Sequence, residues 1–169
     1  MAPVPSRRRG ILRGMPRVNI AAPEFSYDDT DPEGFRSGMF RPGKSLGARA
    51  TGATVYDLPP GQALCPYHYE YGEEEWALVL EGTATLRTPE GSEEFGPMEL
   101  AFFPTGPDGA HLIRNDSDQP LRVLMFSNIV YPTATAYPDS AKVGVYTGLD
   151  GEDVMVERSS NVPYFHGEA

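Results

Sequence analysis

Apolar positions along this chain come in short runs, each closed off by Gly, Pro, Asn or Asp. Ala48–Leu58, Gln62–Tyr71, Glu75–Leu80, Thr83–Thr88, Glu93–Phe95, Leu100–Phe103, His111–Asn115 and Leu121–Ser127 all read as strands of this kind. No stretch sustains the 3.6-residue period of an amphipathic helix, so the pattern predicts helix limited to one or two turns. Short strands punctuated by turns close most economically as a β-barrel built from two antiparallel sheets. Residues 1–18 form a basic leader, 19–47 an extended arm with one short strand, and 48–131 the barrel core. Residues 132–169 follow as an extension packing on the barrel, with one short strand and a brief strand or helix in DGEDVMVERSS. The absence of an internal repeat, together with the length of 169 residues, indicates a single domain.

The chemistry concentrates in GQALCPYHYEYGEEEWALVLEG, residues 61–82. On a strand, side chains two apart share a face, so His68 and Glu70 point the same way while Tyr67, Tyr69 and Tyr71 point to the other. Glu75 opens the next apolar run and His111 opens HLIRN, so both can converge with the His68–Glu70 pair. Imidazole mixed with carboxylate suits a divalent metal ion such as Fe, Mn, Zn or Ni. By the same parity Trp76 faces away from Glu75 and packs elsewhere, while Tyr56, Phe103 and Phe126 are candidates for the cavity wall. A carboxylate aimed into a barrel is costly unless it is compensated. Metal coordination achieves this at Glu70; the alternative is a metal-free polar pocket with Glu70 paired to Arg49, Arg87 or Arg114.

These residues resemble the two conserved motifs of the cupin superfamily. Glu75, six residues and Gly82 match the end of the first motif, and Pro104, Gly106, His111 and Asn115 are similar to the second. The resemblance spans about residues 48 to 131 and implies a single-domain double-stranded β-helix, the jelly-roll barrel. It also implies metal ligands at His68, Glu70, Glu75 and His111, with Glu70 standing where the family's motif has its second histidine. His68, Glu70 and His111 then supply the 2-His-1-carboxylate set of oxygen-activating iron sites, with Glu75 as fourth ligand or catalytic base. The function so implied is a small-molecule metalloenzyme of oxygenase or isomerase type. The alternatives are a non-catalytic ligand-binding cupin and a metal-free sugar isomerase or epimerase, the latter disfavoured by the shortage of basic residues for phosphate.

Charge narrows the partners. The chain carries 24 acidic against 14 basic residues, and five of the arginines (Arg7, Arg8, Arg9, Arg13, Arg17) lie in the leader. An acidic body excludes nucleic acid as the main partner, because phosphate contacts need clustered Lys and Arg. No apolar run reaches the roughly 18 residues of a membrane span. The lone Cys65 excludes an internal disulfide and points to a reducing, cytoplasmic setting, where it reads as a small core residue on a strand. The expected partner is a small-molecule ligand. The aromatic arm and the outward tyrosines further predict a homodimer.

Overall fold

The computed structural model describes residues 15–168, so most of the basic leader lies outside it. The described chain is almost wholly β. Its elements in order are β1 (Gly38–Phe40), the single-turn α1 (Pro42–Leu46), β2 (Thr51–Leu58), β3 (Tyr69–Glu70), β4 (Glu75–Glu81), β5 (Ala84–Thr88) and β6 (Gly91–Phe95). Then come β7 (Leu100–Phe103), β8 (Leu112–Arg114), β9 (Leu121–Asn128), β10 (Thr133–Tyr137), β11 (Lys142–Tyr146) and β12 (Val154–Glu157), with two short 3₁₀ turns between them and a third after β12. No helix among the described residues is long and apolar enough to cross a membrane.

Two layers pack face to face. One is the five-stranded sheet β1-β2-β9-β4-β7. The other comprises β12-β11-β10-β3 and β6-β5-β8, which meet through the antiparallel bridge between His68 and His111. All strand pairs are antiparallel. The period-two alternation sends Ala77, Val79, Val123 and Leu121 inward from the first layer, against Leu86, Phe95 and Ile113 from the second. Burying each of the larger side chains contributes roughly 1.5–3 kcal/mol. The motif residue Asn115 is structural: fully buried, it donates from Nδ2 to the carbonyls of Leu58 and Gln119, both at 2.8 Å, tying two turns together.

Three segments differ from the sequence pattern. Gln62–Tyr71 is not one strand, because Pro66 has no N–H to donate and interrupts the pairing. Only Tyr69–Glu70 is regular strand there, and Cys65 sits in a bend rather than on a strand. The extension beyond Val130 is more regular than its composition suggests: β10 pairs with β3, β11 with β10, and β12 with β11. The arm folds back onto its own barrel. Ser26 bridges Met39, the Tyr27 hydroxyl donates to Asp57 at 2.6 Å, and the Gly34 carbonyl accepts from the Ala63 N–H at 2.7 Å.

Candidate metal centre

The bridge between the layers builds the site. The His68 N–H donates to the His111 carbonyl at 3.1 Å, and the His111 N–H returns a bond to His68 at 2.8 Å. Directly paired residues of antiparallel strands share a face. The two imidazoles therefore stand side by side, ring centroids 4.6 Å apart. Both rings are oriented by the same local device. Nδ1 of His68 lies 3.0 Å from the Pro66 carbonyl and Nδ1 of His111 lies 2.9 Å from the Gly109 carbonyl, each two residues back. A carbonyl oxygen only accepts, so each Nδ1 carries the proton and each Nε2 faces the barrel interior. Gly109 is required here: a Cβ at this position would collide with the Pro104 backbone.

Glu75, the first residue of β4, completes the cluster. Its Oε2 lies 3.5 Å from Nε2 of His68 and 3.7 Å from Nε2 of His111. Phe103, opposite Glu75 in the β4–β7 register, stacks on the His111 ring at 3.7 Å and 10°, closing the floor. One ligand atom from each of His68, Glu75 and His111 can be chosen so that all three lie within 4.8 Å of one another. Ligand atoms about 2.1 Å from a common tetrahedral centre stand about 3.4 Å apart, so this spacing is that of a cage a divalent ion could occupy. Glu75 Oε2 and His111 Nε2 are both buried and have no hydrogen-bond partner. Buried polar atoms left unpaired are rare and costly, and two of them facing one point fit a cation.

The charges agree with that reading. Burial, and then the neighbouring His68, push the His111 pKa down to about 4, so His111 is neutral. Burial opposes a proton on His68, but the Cys65 sulfur 3.4 Å from its Nδ1 and the Glu75 carboxylate at Nε2 raise it well above the ordinary histidine range. Burial likewise raises Glu75, yet the nearby His68 at 3.5 Å, and His111 beyond it, hold it below the usual carboxylate range. Without a metal the site thus holds an imidazolium–carboxylate pair beside a neutral histidine, and a cation entering it would displace the His68 proton.

Glu70 stands next to the cluster instead of inside it. Its Oε1 is 3.8 Å from His68 Nε2, and its Oε2 accepts the Thr135 hydroxyl at 2.6 Å. Burial lifts its pKa to about 7 against the opposing Thr135 hydrogen bond, with Glu75 adding to the rise. The sequence reading ranked Glu70 ahead of Glu75; the geometry places Glu75 centrally and Glu70 on the flank. Among the described residues no arginine pairs with Glu70: Arg87 pairs with Asp139 and Arg114 with Asp116. Of the other expected wall residues, Phe103 lines the site, Tyr56 is directed inward from β2, and Phe126 points outward against Trp76. Tyr67 is buried beneath Arg87, whose guanidinium lies 3.9 Å from its ring centroid.

The residues missed by sequence reasoning come from the extension. Tyr137 stacks over His68 at 6.1 Å and 25°, and its hydroxyl lies 2.9 Å from that of Tyr146. Thr135 faces Glu70 across the β3–β10 register, and Tyr137 shares its face. The signal was the alternation in Thr133-Ala-Thr-Ala-Tyr137, which puts both threonines and the tyrosine on one face.

The family model "Cupin domain" matches residues 54–127. Solved structures agree with it across most of the chain. A candidate sugar phosphate isomerase from Acidithiobacillus ferrooxidans is 25% identical, with 77% of this chain and 81% of that chain covered at a TM-score of 0.71. A sugar phosphate isomerase of the cupin superfamily from Silicibacter pomeroyi is 20% identical over 88% and 96% at a TM-score of 0.76. Residues 54–127 therefore form a cupin domain. A polyketide cyclase from Streptomyces resistomycificus shares the fold at 24% identity, covering 68% and 79% with a TM-score of 0.55. No curated protein matches this cupin. Its barrel is the double-stranded β-helix that the motifs imply, with the β10–β12 sheet continuing from β3.

Proposed function

We propose that this cupin is a metal-dependent isomerase that moves a proton between adjacent carbons of a small hydroxy-carbonyl compound, of the class that includes sugar phosphates. The observation that carries the metal is the pair of buried, unpartnered atoms, His111 Nε2 and Glu75 Oε2, facing His68 Nε2. His68, Glu75 and His111 would hold a divalent ion, which would supply Lewis acidity to a bound substrate. The isomerase assignment is supported by the likeness to the Acidithiobacillus protein over 77% of the chain and by Glu70.

Glu70 fits the role of the base. It flanks the cage, its Oε2 is oriented by Thr135, and its pKa of about 7 suits a group that must both take and return a proton. As carboxylate it removes the proton from the hydroxyl-bearing carbon, and the electron pair becomes the carbon–carbon double bond of an enediol. The hydroxyl proton passes to the former carbonyl oxygen, and Glu70 returns its proton to the neighbouring carbon. The reaction is internally balanced and needs no redox partner. Tyr137, stacked over His68 and hydrogen-bonded to Tyr146, would hold the substrate against Glu70.

A second reading is oxygen activation, favoured by the 2-His-1-carboxylate composition of the cage. Two measurements separate them. Isomerisation exchanges a carbon-bound proton with D2O, seen by NMR over a panel of hydroxy-carbonyl compounds in the metal-loaded protein. Oxygenation consumes O2 in the presence of iron(II). Deuterium exchange lost in Glu70→Gln supports the proposal; O2 uptake without exchange overturns it. Metal loading with neither activity makes this cupin a ligand-binding protein.

A further inference from the structure

The cage is the first position of a row that runs out across the extension. The register pairs Tyr137 with Lys142 and Lys142 with Glu157, and directly paired residues share a face. With the His68 ring stacked on Tyr137, the row reads His68, Tyr137, Lys142, Glu157. The neighbouring row on that face holds Glu70, Thr135, Gly144 and Met155. Gly144 keeps the face open: a Cβ there would stand 3.0 Å from both the Tyr146 hydroxyl and Met155 Cε. Among the described residues of β10, β11 and β12, Lys142 is the one cation on this face, and it forms no ion pair. It is half-buried, with Nζ 5.5 Å from the Tyr137 ring centroid. Glu157, beyond it in the row, is exposed and accepts the Ser159 hydroxyl at 3.2 Å. The nearest other cation along the chain, Arg158, turns toward the Tyr71 hydroxyl at 3.5 Å.

We infer that Lys142 holds an anionic end of the substrate, a terminal phosphate or carboxylate, while the cage takes the hydroxy-carbonyl end. This role deepens the isomerase reading and rests on it for the reacting end. Distance supports the pairing. Two interstrand steps of about 4.8 Å separate Lys142 from the His68 position along the row, and the ammonium sits over Tyr137 between them. Six single bonds of about 1.5 Å lead from a carbonyl carbon to a phosphorus at the far end of a five-carbon chain, roughly 7–8 Å when extended. Such a chain can lay its C–H face on the Tyr137 ring with one end at the cage and the other at Lys142. Charge makes the lysine selective. The chain's formal −10 repels an anion from most of its surface, so an unpaired cation on the face that carries the site is where one is retained. An ammonium serves phosphate as a point charge. The shortage of basic residues therefore does not exclude an anionic substrate, because one lysine in this row suffices.

The test is calorimetric titration of the full chain, with Mn2+ present, using three unreactive probes: ribitol, ribitol 5-phosphate and ribonate. Ribitol 5-phosphate is expected to bind on the order of tenfold or more tighter than ribitol, the usual worth of a charge-assisted contact. Lys142→Gln should remove that preference, and Lys142→Arg should restore it, which a merely structural role would not do. Arg158→Gln should leave the preference intact. Ribonate that follows ribitol 5-phosphate supports an anionic end that includes carboxylates; ribonate that follows ribitol supports phosphate alone. Equal affinity of wild-type protein for ribitol and its phosphate, a preference that survives Lys142→Gln, or one lost equally in Arg158→Gln would each overturn the role of Lys142. Deuterium exchange keeps the two readings apart. A Lys142-dependent phosphate preference without exchange on any hydroxy-carbonyl compound supports the anion site and removes the isomerase. Exchange that is equal on neutral and phosphorylated compounds and untouched by Lys142→Gln retains the isomerase and overturns the anion site.

Discussion

The two walls of the site differ in origin and in exactness. The barrel wall, His68, Glu75 and His111, comes from strands at the centre of the fold. Each of its imidazoles is pinned by a backbone carbonyl two residues back and backed by a mutual main-chain bridge. The outer wall, Glu70, Thr135, Tyr137 and Tyr146, is shared between the short strand β3 and the C-terminal extension, and side-chain hydrogen bonds hold it together. The first wall has the rigidity and unpaired atoms of an ion cage, while the second has the groups that can move a proton or orient a ligand. On this account the barrel supplies the binding of the ion and the extension supplies the reaction's specificity, so damage to the two walls should separate cleanly.

The largest effect expected on that separation is from the cage. His111→Ala or Glu75→Gln should reduce divalent-metal affinity by on the order of 100-fold or more, beyond the 10–100-fold typical of outer-shell changes, as read by calorimetric titration. Glu70→Gln should leave metal affinity within about tenfold but cut turnover on the order of 100-fold to 10,000-fold, the usual contribution of a general base. If Glu70→Gln instead strips the metal, Glu70 belongs to the cage and the two walls are one.

Much of the barrel wall was legible from sequence. The His68-x-Glu70 pair, Glu75 with six residues before Gly82, and His111 with Asn115 mark candidate ligands at strand ends, where parity and spacing are informative. The rank order of Glu70 and Glu75 was not legible. Pro66 breaks the strand, and Thr135, distant in sequence, draws one oxygen of Glu70 aside. The outer wall was hidden because its register depends on β10 pairing with a two-residue strand, a long-range choice no local pattern encodes. The aromatic outer face of β4, β7 and β9 was visible only in part: parity put Trp76 outward, but not the row of partners it meets there.

pH gives a further separation. Glu70 binds its proton more tightly folded, at about 7, than in the unfolded chain, where a glutamate titrates near 4.5. Between those values the folded state holds the extra proton, so metal-free wild-type protein should lose stability as pH rises through this window. Glu70→Gln should lack that decline, checked by thermal melts in chelator from pH 4.5 to 8. In the loaded enzyme turnover should rise with pH as Glu70 ionises, with a midpoint below that of the metal-free protein because the nearby cation favours the carboxylate. The smallest effect expected is at the tyrosines. Tyr137→Phe removes a hydroxyl bonded to another hydroxyl, about 1 kcal/mol, and should appear as a several-fold rise in KM with metal affinity unchanged.

The central claim is that His68, Glu75 and His111 hold a divalent ion. Elemental analysis of protein purified without chelator or affinity tag, then offered Mn, Fe, Zn and Ni separately, tests it most directly. One equivalent of ion per chain is predicted for wild-type protein and for Glu70→Gln, with none in His111→Ala or Glu75→Gln. Wild-type protein that takes up no ion at neutral pH, and gains thermal stability from Glu75→Gln, would contradict the account.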